Sequence, residues 1–560
     1  MTVTTAPAPG GRPAPFGVDA LRALRVSGDV HALIDVREHP ETDAGHIPGA
    51  STVPMRTLPL RAAELLPTTD LDIVVVDSGG EDRRAEAAVE LLRSEGHVRA
   101  VVLDGGLAAW VAAGHRVERG RNVPSKRFGE LLLDGADEDL LVAPETLAGW
   151  MAEGRVDRIL DVRTAVEHER ECIPGSQHAA GFDVVAAALA RTDPSRPLIV
   201  HCTGRTRGIV AASTLRLLGL PNVHALENGT MGWKLAGLEL EHGARRAAPS
   251  ADASDASDDE AATTRAAVHA IARDAGVELL SPEAAHERLR TAAVPTLLFD
   301  VRSPAEHSAA APDGALGVPS GQLVQQLDDH LVIAGAHAIL IDDGGVRAPI
   351  AAYWLRRIGV AAVAIVDGGV TAWQAAGLPV GPPADRPLPG PVARAQASVE
   401  AVDAAQLEAL VAAGATVVSV ATSLEHEAGH VPDAQWLFAA AALADPSRSL
   451  DAVLTGTADD RTIDAASGGR ALVVSCEDGR LSAVVAARFA AVGVPGLGIH
   501  RLDGGVRGWR ASGRPLHTDP SGIPTPAPDV IEHPIHVGAE AMRAYLDWEL
   551  ELEHDAGEDA

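Results

Sequence analysis

Residues 159–176 read ILDVRTAVEHERECIPGS, an apolar run followed by Asp-Val-Arg. Three related stretches begin at Ala32, Leu297 and Val417, and they read ALIDVREHPETDAGHIPGA, LLFDVRSPAEHSAAAPDGA and VVSVATSLEHEAGHVPDA. The last of them is a decayed version. Self-similarity along a chain is the sequence signature of a repeat architecture. The chain is therefore predicted to contain four copies of one structural unit.

A second pattern closes each copy: a short apolar strand, an Asp or Glu next to Gly or Asn-Gly, and then a Trp. It reads VVLDGGLAAW, HALENGTMGW, AIVDGGVTAW and HRLDGGVRGW, ending on Trp110, Trp233, Trp373 and Trp509. Between the two patterns of the second copy lies LIVHCTGRTRGIVAASTLRLLG, from Leu198. Its LIV run is typical of a buried strand, and VAASTLRLL has helical spacing. Strands alternating with helices predict an α/β fold, in which a mainly parallel sheet has helices on both faces.

The composition excludes several classes of partner. Lys and Arg number 47 and Asp and Glu 77, which gives a formal charge of −30 over 560 residues. Such a surface repels nucleic acid and anionic membranes, so neither is an expected partner.

Three cysteines are too few for a disulfide framework and suit a reducing compartment. Without a signal-peptide core or a stretch of about 20 apolar residues, the chain is expected to be cytoplasmic.

Composition shifts give the predicted boundaries of the repeats. The four repeats are placed at residues 15–118, 138–242, 265–381 and 397–518. Residues 243–264 are small, polar and acidic, which predicts a flexible linker between two halves of two repeats each. A proline-rich spacer at 382–391 separates repeats three and four. The tail at 519–560 contains a predicted helix, which is expected to pack on repeat four.

Together these motifs resemble the rhodanese superfamily of thiosulfate sulfurtransferases. The resemblance covers about residues 15–518, four times over, and its best-formed single match is HCTGRTRG at 201–208. It implies four tandem rhodanese-like domains, each with the α/β fold described above. Tandem members of this family often keep one active repeat while others decay.

Only one repeat is predicted to be active. The repeats can be aligned on the glycine that ends the loop helix: Gly96, Gly219, Gly359 and Gly493. The position of Cys202 then falls on Gly79, Asp342 and Cys476 in repeats one, three and four. Repeats one and three have no thiol there, so they cannot form a persulfide and are expected to be inactive.

Cys202 is the predicted catalytic residue. It opens a loop that should lie beyond the end of a strand and lead into a helix N-terminus, where backbone N–H groups favour an anion. Arg205 and Arg207 add positive charge, so the thiol is expected to have a lowered pKa. Gly204 is expected to give the freedom for a tight curl. The predicted substrate-binding residues are Thr203, Gly204, Arg205, Thr206, Arg207 and Gly208.

The other thiols are weaker candidates. Cys476 is a possible second thiol, but Glu477 and Asp478 beside it should raise its pKa and repel anions. Cys172 is expected to lie in a structural turn. His201 precedes the loop and is expected to pack rather than to act as a base. Asp161, Arg163 and Glu167 recur in repeats without the thiol, so they are predicted to be structural.

The resemblance implies a double displacement, in which the Cys202 thiolate takes the outer sulfur of thiosulfate and passes it to cyanide or a thiol. It requires no metal and no organic cofactor, and no His/Cys cluster shows metal-ligand spacing. The expected partners are a small sulfur donor and a thiophilic acceptor, which could be a protein. Two alternatives stay open: a non-catalytic scaffold or sulfur-carrier binding protein, and a cysteine-dependent phosphatase or arsenate reductase. The latter enzymes place five residues between Cys and Arg, whereas four separate Cys202 from Arg207.

Overall fold

A computed structural model describes residues 16–134, 139–189, 193–248, 258–455, 470–520 and 522–552. The predicted fold class is confirmed, because the chain forms parallel sheets flanked by helices in each of four repeats. Along the described residues, no helix has the length and apolar character needed to cross a bilayer.

Repeat one has a sheet in which the strand of the Asp-Val-Arg pattern, β1, lies beside the strand that precedes the loop, β3. Its elements are α1 (Val18–Ser27), β1 (His31–Asp35), α2 (His39–Ala44), β2 (Ser51–Thr52), α3 (Leu58–Leu65), β3 (Asp72–Val76), α4 (Arg84–Ser94), β4 (Ala100–Val102) and α5 (Gly106–Ala112). β2, β1, β3 and β4 pair in parallel. The short strand Ile333–Ala334 adds to β1 in the antiparallel direction.

Repeat two repeats this order after one additional helix. Its elements are α6 (Val123–Asp134), β5 (Leu141–Val142), α7 (Pro144–Ala152), β6 (Arg158–Asp161), α8 (Ala165–Arg170), β7 (Gln177–His178), α9 (Val184–Leu189), β8 (Leu198–His201), α10 (Thr206–Leu217), β9 (Val223–Leu226) and α11 (Gly229–Leu235). The sheet order is β5-β9-β8-β6-β7, all parallel. Ile159, Ile199, Leu226 and Trp233 form the centre of its core. The closing Trp is therefore a core residue.

Repeat three follows a long helix that begins inside the predicted linker. Its elements are α12 (Asp258–Asp274), β10 (Glu278–Leu280), α13 (Pro282–Thr291), β11 (Thr296–Asp300), α14 (Pro304–Ala309), β12 (Ala311–Pro312), β13 (Leu316–Gly317), α15 (Ser320–Gln325), α16 (Leu327–His330), β14 (Ile333–Ala334), β15 (His337–Ile341), α17 (Arg347–Ile358), β16 (Ala362–Val366), α18 (Gly369–Ala375) and β17 (Val380–Gly381). The main sheet has the order β10-β16-β15-β11-β13, and β12 pairs with β17.

Repeat four has the order β18-β22-β21-β19-β20, again all parallel. Its elements, with those of the tail, are α19 (Gly390–Ser398), β18 (Glu400–Val402), α20 (Ala404–Ala412), β19 (Thr416–Ser419), α21 (Ser423–Ala428), β20 (Gln435–Trp436), α22 (Ala439–Ala444), α23 (Pro446–Thr455), β21 (Arg470–Ser475), α24 (Arg480–Val492), β22 (Leu497–Leu502), α25 (Gly505–Ala511), α26 (Pro534–Val537) and α27 (Ala539–Glu551).

The repeats do not group by their order in the chain. One compact unit holds repeats one and four, and the other holds repeats two and three together with the C-terminal residues from Glu532. The predicted division into two sequential halves is therefore wrong. Part of the predicted linker is also helical, since α12 starts at Asp258, and Ala-rich sequence favours a helix there. Residues 249–257 of that linker lie outside the described residues.

The helix of the tail packs on repeat two, so its predicted position on repeat four is wrong. Ile535 of α26 and Met542 and Leu546 of α27 are buried against Met231 of α11. Met542 and Leu546 are four residues apart and therefore share one face of α27. The Lys234 ammonium also donates to the carbonyl of Ile535, at 2.7 Å. The position of α26 and α27 is therefore determined by apolar contact with α11, although repeat four is closer to them in the sequence.

Candidate active site

The loop after β8 carries Cys202 and curls back into α10. All four residues of β8 are buried between β6 and β9, which fixes where the loop begins. Cys202 is only 3% exposed. Its S–H points to the carbonyl of Arg205 at 3.6 Å, and the backbone N–H groups of Gly204 and Gly208 donate toward the sulfur. The loop is therefore a ring of backbone groups around one sulfur atom.

The closing motif of repeat two supports this loop from outside. The backbone N–H groups of Thr230 and Met231 donate to the carbonyls of Cys202 and Thr203, both at 2.9 Å. Gly229 has a φ of 54°, and a Cβ on it would lie 2.2 Å from the carbonyl oxygen of Cys202. Both the backbone conformation and the close approach require glycine. This contact explains the invariable Gly of the motif in the four repeats.

The same contact identifies the residues equivalent to Cys202, which are Asp77, Asp342 and Cys476. The alignment on terminal glycines, which gives Gly79 in repeat one, is wrong. In repeat one the N–H that faces Asp77 belongs to Ala85, eight positions later, whereas Gly208 follows Cys202 by six. The loop of repeat one is thus two residues longer, and the alignment slips by two.

Repeats one and three place a carboxylate where repeat two has its thiol. The Asp342 carboxylate accepts the backbone N–H groups of Gly345 and Ala348, at 3.0 and 2.9 Å. Asp77 is held in the same way, with both of its oxygens on backbone N–H groups. The backbone N–H groups of these loops therefore favour a negative charge at this position, while burial opposes it and raises the pKa of Asp77 to about 6. At Cys202 that charge would be a thiolate or a persulfide.

Arg207 forms a bidentate ion pair with Glu167 of α8. The two N–O distances are 3.0 and 2.8 Å. The equivalent pairs are Arg84–Glu41 in repeat one and Arg347–Glu306 in repeat three. Repeats one and three keep this ion pair although they have no thiol. The pair therefore closes the loop in every repeat that keeps it, whether or not a thiol is present. Glu167, which the sequence places among structural residues only, thus directly contacts a predicted substrate-binding residue.

Arg205 is specific to repeat two. Its guanidinium makes a bidentate pair with Glu130 of α6, at 2.8 and 2.7 Å, and donates to Asn228 Oδ1 at 3.0 Å. Repeats three and four have Gly345 and Gly479 at the equivalent position, both with positive φ. Both predicted arginines therefore lie at the loop, but each already binds a carboxylate.

The remaining loop residues have distinct surroundings. Thr203 Oγ1 donates to Glu167 Oε1 at 3.3 Å. Thr206 is buried, and its Oγ1 has no hydrogen-bond partner within the described ranges. Gly204 does not have the left-handed backbone expected of a tight curl, because it is absent from the positive-φ glycines. It is needed for space: a Cβ there would meet Met231 Cε at 3.0 Å and Glu549 Oε2 at 3.1 Å.

The C-terminal helix α27 covers the loop. Besides the contact of Glu549 with the Gly204 position, the Tyr545 hydroxyl donates to Glu549 Oε1 at 3.1 Å. The Lys126 ammonium of α6 lies 4.8 and 4.4 Å from the ring centroids of Tyr545 and Trp548, which is cation–π geometry. Two helices outside the repeat thus complete its loop.

The expected lowering of the Cys202 pKa is wrong for this arrangement. Burial is the largest influence and raises the pKa of the thiol. Arg207 and the N–H groups of Gly208 and Gly204 lower it, as expected, but Glu549 raises it further. The sequence indicates Arg207, Gly204 and Gly208 as groups near the sulfur. It does not indicate Glu549, and it does not show how deeply the loop is covered.

Sequence reasoning missed Glu130, Asn228, Tyr545 and Glu549 and set Glu167 aside. One signal within the chain could have found Glu167. Arg84 and Arg347 accompany a Glu in repeats one and three, which suggests a pair. Glu130 and Glu549 lie outside the sequence motifs that recur in the repeats, so a comparison of those motifs could not reveal them.

A family model for the rhodanese-like domain matches residues 18–113, 143–236, 281–376 and 403–512. The chain belongs to the rhodanese family. It is similar throughout to the crystal structure of a thiosulfate sulfurtransferase from Pseudomonas aeruginosa, with 31% identity, 97% of each chain covered and a TM-score of 0.84. Four rhodanese-like domains, as predicted from the motifs, are thereby confirmed.

Shorter similarities connect this member of the rhodanese family with two curated proteins. It is 42% identical over 99 residues to an HTH-type transcriptional regulator, Rv0324, from Mycobacterium tuberculosis, which covers 18% of this chain and 42% of that protein. It is 34% identical over 82 residues to a sulfurtransferase from Allochromatium vinosum, with 15% and 73% covered. The chain thus spans less than half the length of the regulator, and the likeness is that of one rhodanese domain.

Rhodanese repeat four keeps a thiol in an altered loop. Cys476 is buried, and its sulfur accepts from the N–H of Ser482 at 3.3 Å. The Arg507 guanidinium donates a hydrogen bond to the Glu477 carboxylate, with an N–O distance of 3.1 Å. Burial is the largest influence on the pKa of Cys476 and raises it. The charge of Asp478 raises this pKa as well. Leu481 stands where repeat two has Arg207, so this loop lacks the closing ion pair.

The rhodanese Asp-Val-Arg pattern is structural in repeat two. Asp161 binds Arg163 at 2.7 Å and His168 at 2.9 Å in a fully buried cluster. Burial lowers the pKa of His201 to about 4, so this ring is neutral where it lies 3.8 Å from Asp161. Cys172 is buried in an antiparallel bridge to Glu241. None of these groups reaches the sulfur of Cys202 through a hydrogen bond in the described structure.

One group of side chains in rhodanese repeat four could hold a metal ion. Ligand atoms of His430, His517 and Asp519 lie within 4.8 Å of one another. His430 contacts the carbonyl of His426 through Nδ1, at 2.8 Å, which leaves Nε2 toward Asp519. The spacing along the sequence does not show this group, because His430 lies far along the chain from His517 and Asp519. His46 and Glu118 form the similar pair in repeat one, at 4.0 Å, which suits a structural cross-link equally well.

Proposed function

We propose that this rhodanese transfers sulfane sulfur from thiosulfate, or a related donor, to cyanide or a thiol through a persulfide on Cys202. One observation carries the proposal: Cys202 occupies the position where repeats one and three hold a carboxylate on backbone N–H groups. A sulfur atom at that position can carry negative charge before and after it accepts a second sulfur. The sulfurtransferase names of two similar proteins support the same reaction class.

The first half-reaction forms one S–S bond and breaks another. The Cys202 thiolate attacks the outer sulfur of thiosulfate, and sulfite leaves with the electron pair of the broken S–S bond. The enzyme is left as Cys202–S–S⁻. The N–H groups of Gly204 and Gly208, which donate toward the sulfur, stabilise the anion in both states.

In the second half-reaction an acceptor anion attacks the outer persulfide sulfur. Cyanide gives thiocyanate, and a thiolate R–S⁻ gives R–S–S⁻. The Cys202 thiolate leaves and is ready for another cycle. Because the sulfur stays on the enzyme between the two substrates, the kinetics are of the ping-pong type.

The test compares two thiols in matched loops. Cys202→Ala is expected to abolish thiosulfate–cyanide sulfur transfer in the full-length chain, because the nucleophile is removed. Cys476→Ala is the matched control and should retain most of the turnover, since its loop lacks the closing Arg. Thiocyanate formation is the measurement. Wild-type turnover by Cys202→Ala would overturn the proposal, and thiocyanate formation by neither the wild type nor the control would favour a non-catalytic scaffold.

A further inference from the structure

Glu549 is a buried carboxylate without an evident structural purpose. It lies on α27, is 2% exposed, and its Oε2 has no hydrogen-bond partner in the part of the chain that is described. Its Oε1 accepts from the Tyr545 hydroxyl at 3.1 Å. A buried carboxylate with one oxygen left without a partner costs free energy, and a Gln or an apolar residue could have stood there instead.

The unpartnered oxygen faces the Cys202 loop. Glu549 Oε2 lies 3.1 Å from the point where a Cβ on Gly204 would stand, two residues after the nucleophile. A side chain at residue 204 would fill this contact, so glycine there leaves Oε2 against the loop backbone. Glu549 and Cys202 also influence each other electrostatically. The carboxylate therefore borders the volume in which a reaction at Cys202 takes place.

The charges around Glu549 come from three elements. The titratable and charged groups that face it are Lys126 and Glu130 of α6, Arg205 and Cys202 of the loop, and Tyr545 of its own helix. Lys126, Tyr545 and Arg205 lower the pKa of Glu549, while Glu130 raises it. Burial exceeds them all and raises this pKa. A carboxylate with a raised pKa is a better proton acceptor near neutral pH than an exposed one.

We propose that Glu549 is the general base of the acceptor half-reaction, in which it removes the proton of an incoming thiol. This inference rests on the proposed function of Cys202. Glu549–COO⁻, R–SH and Cys202–S–S⁻ give Glu549–COOH, R–S–S⁻ and Cys202–S⁻. The S–H bond breaks as its proton passes to Oε2, the new S–S bond forms from the electron pair left on sulfur, and the old S–S bond breaks toward Cys202. The proton then returns to solvent.

The acceptor class follows from this chemistry. A base is useful for acceptors that arrive protonated, which are thiols at neutral pH. Sulfite, which regenerates thiosulfate from the persulfide, is largely a dianion at mildly alkaline pH and has no proton to give. Loading by thiosulfate likewise releases no proton at the donor. Glu549 is therefore specific to transfer to thiols.

The test is single-turnover transfer from the loaded full-length chain. Cys202 is loaded with thiosulfate, excess donor is removed, and the persulfide is mixed with 2-mercaptoethanol or with sulfite over a range of pH. Glu549→Gln keeps the shape but cannot accept the proton. It is expected to slow transfer to 2-mercaptoethanol about 100-fold near neutral pH, the usual size of general-base catalysis. The difference should vanish well above the pKa of the thiol, where the acceptor is already ionised.

Two controls separate the possible roles. Glu551→Gln removes an exposed carboxylate from the same helix and should change neither rate. Tyr545→Phe removes the donor to Oε1 and should produce a smaller, about tenfold, loss with the thiol alone. If Glu549→Gln does not fold, the transfer rates of Tyr545→Phe test the role of Glu549 in its place.

The outcomes are distinct. A rate with thiol that is unchanged in Glu549→Gln, or slowed equally with sulfite and at every pH, would overturn the role of Glu549. A wild-type chain that never acquires sulfur from thiosulfate would instead overturn the proposed function. Normal loading with a thiol-specific, pH-dependent loss establishes the base.

Discussion

At the scale of the residue, the sulfur of Cys202 is subject to opposing influences. Burial and the charge of Glu549 disfavour the thiolate, while Arg207 and two backbone N–H groups favour it. Burial dominates, so the pKa of the thiol lies above its ordinary value. The covered loop therefore favours the thiol over the thiolate, although its N–H groups donate toward the sulfur.

Alkylation measures this balance. We expect iodoacetamide to modify Cys202 with a midpoint pH above that of a free cysteine, because only the thiolate reacts and its formation is shifted to higher pH. Glu549→Gln should lower the midpoint, since it removes a negative charge that raises the pKa. Peptide mapping of the modification rate against pH provides the measurement, with Glu551→Gln as the control. A wild-type midpoint at or below that of free cysteine would contradict the expectation.

Arg207→Ala should slow transfer from thiosulfate and from a neutral persulfide donor to the same degree. Its pair with Glu167 closes the loop, as the equivalent pair does in repeats without a thiol. We expect a loss of about 1–3 kcal/mol in kcat/KM with each donor, the size of a charged hydrogen bond. Arg347→Ala breaks the equivalent pair in repeat three and should leave turnover intact. A loss confined to thiosulfate would show that Arg207 binds the anion, as the sequence predicts.

At the scale of the element, the helix after each Asp-Val-Arg pattern explains why its Glu persists. α8, α14 and α21 each begin with a capping box, in which Thr164, Ser303 or Thr422 pairs with the Glu three residues later. This S/T-x-x-E pattern stabilises a helix start by satisfying backbone N–H groups. Repeat four keeps it although its loop has no closing Arg. In repeat two the Glu167 carboxylate therefore has two roles. It caps the N-terminus of α8, and it binds Arg207 of the Cys202 loop.

Gly204→Ala tests how α27 depends on the loop below it. The added Cβ would lie 3.0 Å from Met231 Cε and 3.1 Å from Glu549 Oε2, so at least the ends of these two side chains must move. We expect a loss of about 1–3 kcal/mol in the free energy of unfolding, as for other overpacked sites, and faster proteolysis of residues 532–552. Gly149→Ala, which meets nothing within 4 Å, is the matched control. Equal behaviour of the two variants in limited proteolysis would show that α27 does not rest on Gly204.

At the scale of the whole molecule, the sequence predicts each repeat but not the grouping of repeats. Four copies, the parallel sheets and the loop at Cys202 follow from local patterns of apolar residues and glycines. The grouping of repeat one with four, and of two with three, depends on contacts between segments that are far apart in the chain. The acidic composition of 243–264 indicates a linker but carries no information about which repeats it brings together. For the same reason Glu130 and Glu549 could not be assigned to the site.

Sulfur loading should distinguish the four loops within one chain. After incubation with thiosulfate and no acceptor, we expect one added sulfur atom per chain, located on Cys202. Asp77 and Asp342 cannot form a persulfide, and the loop of Cys476 lacks the closing Arg. Intact mass and peptide mapping provide the measurement, with Cys202→Ala as the control. Stoichiometric sulfur on Cys476 would contradict this result, and its disappearance in Cys202→Ala would indicate a relay between the two thiols.

The carboxylates of Asp77 and Asp342 also supply their loops with an acceptor from within the chain. A ligand that is part of the chain cannot dissociate, so its effective concentration exceeds that of any free anion competing for the same N–H groups. At neutral pH, free sulfate, phosphate or sulfite therefore competes poorly for these N–H groups, although burial raises the pKa of Asp77 to about 6 and acid neutralises that carboxylate. In repeat two the same position holds the sulfur of Cys202, toward which the N–H groups of Gly204 and Gly208 donate. The charge at this position is therefore supplied by a carboxylate in repeats one and three, whereas in repeat two it depends on the chemical state of one sulfur atom.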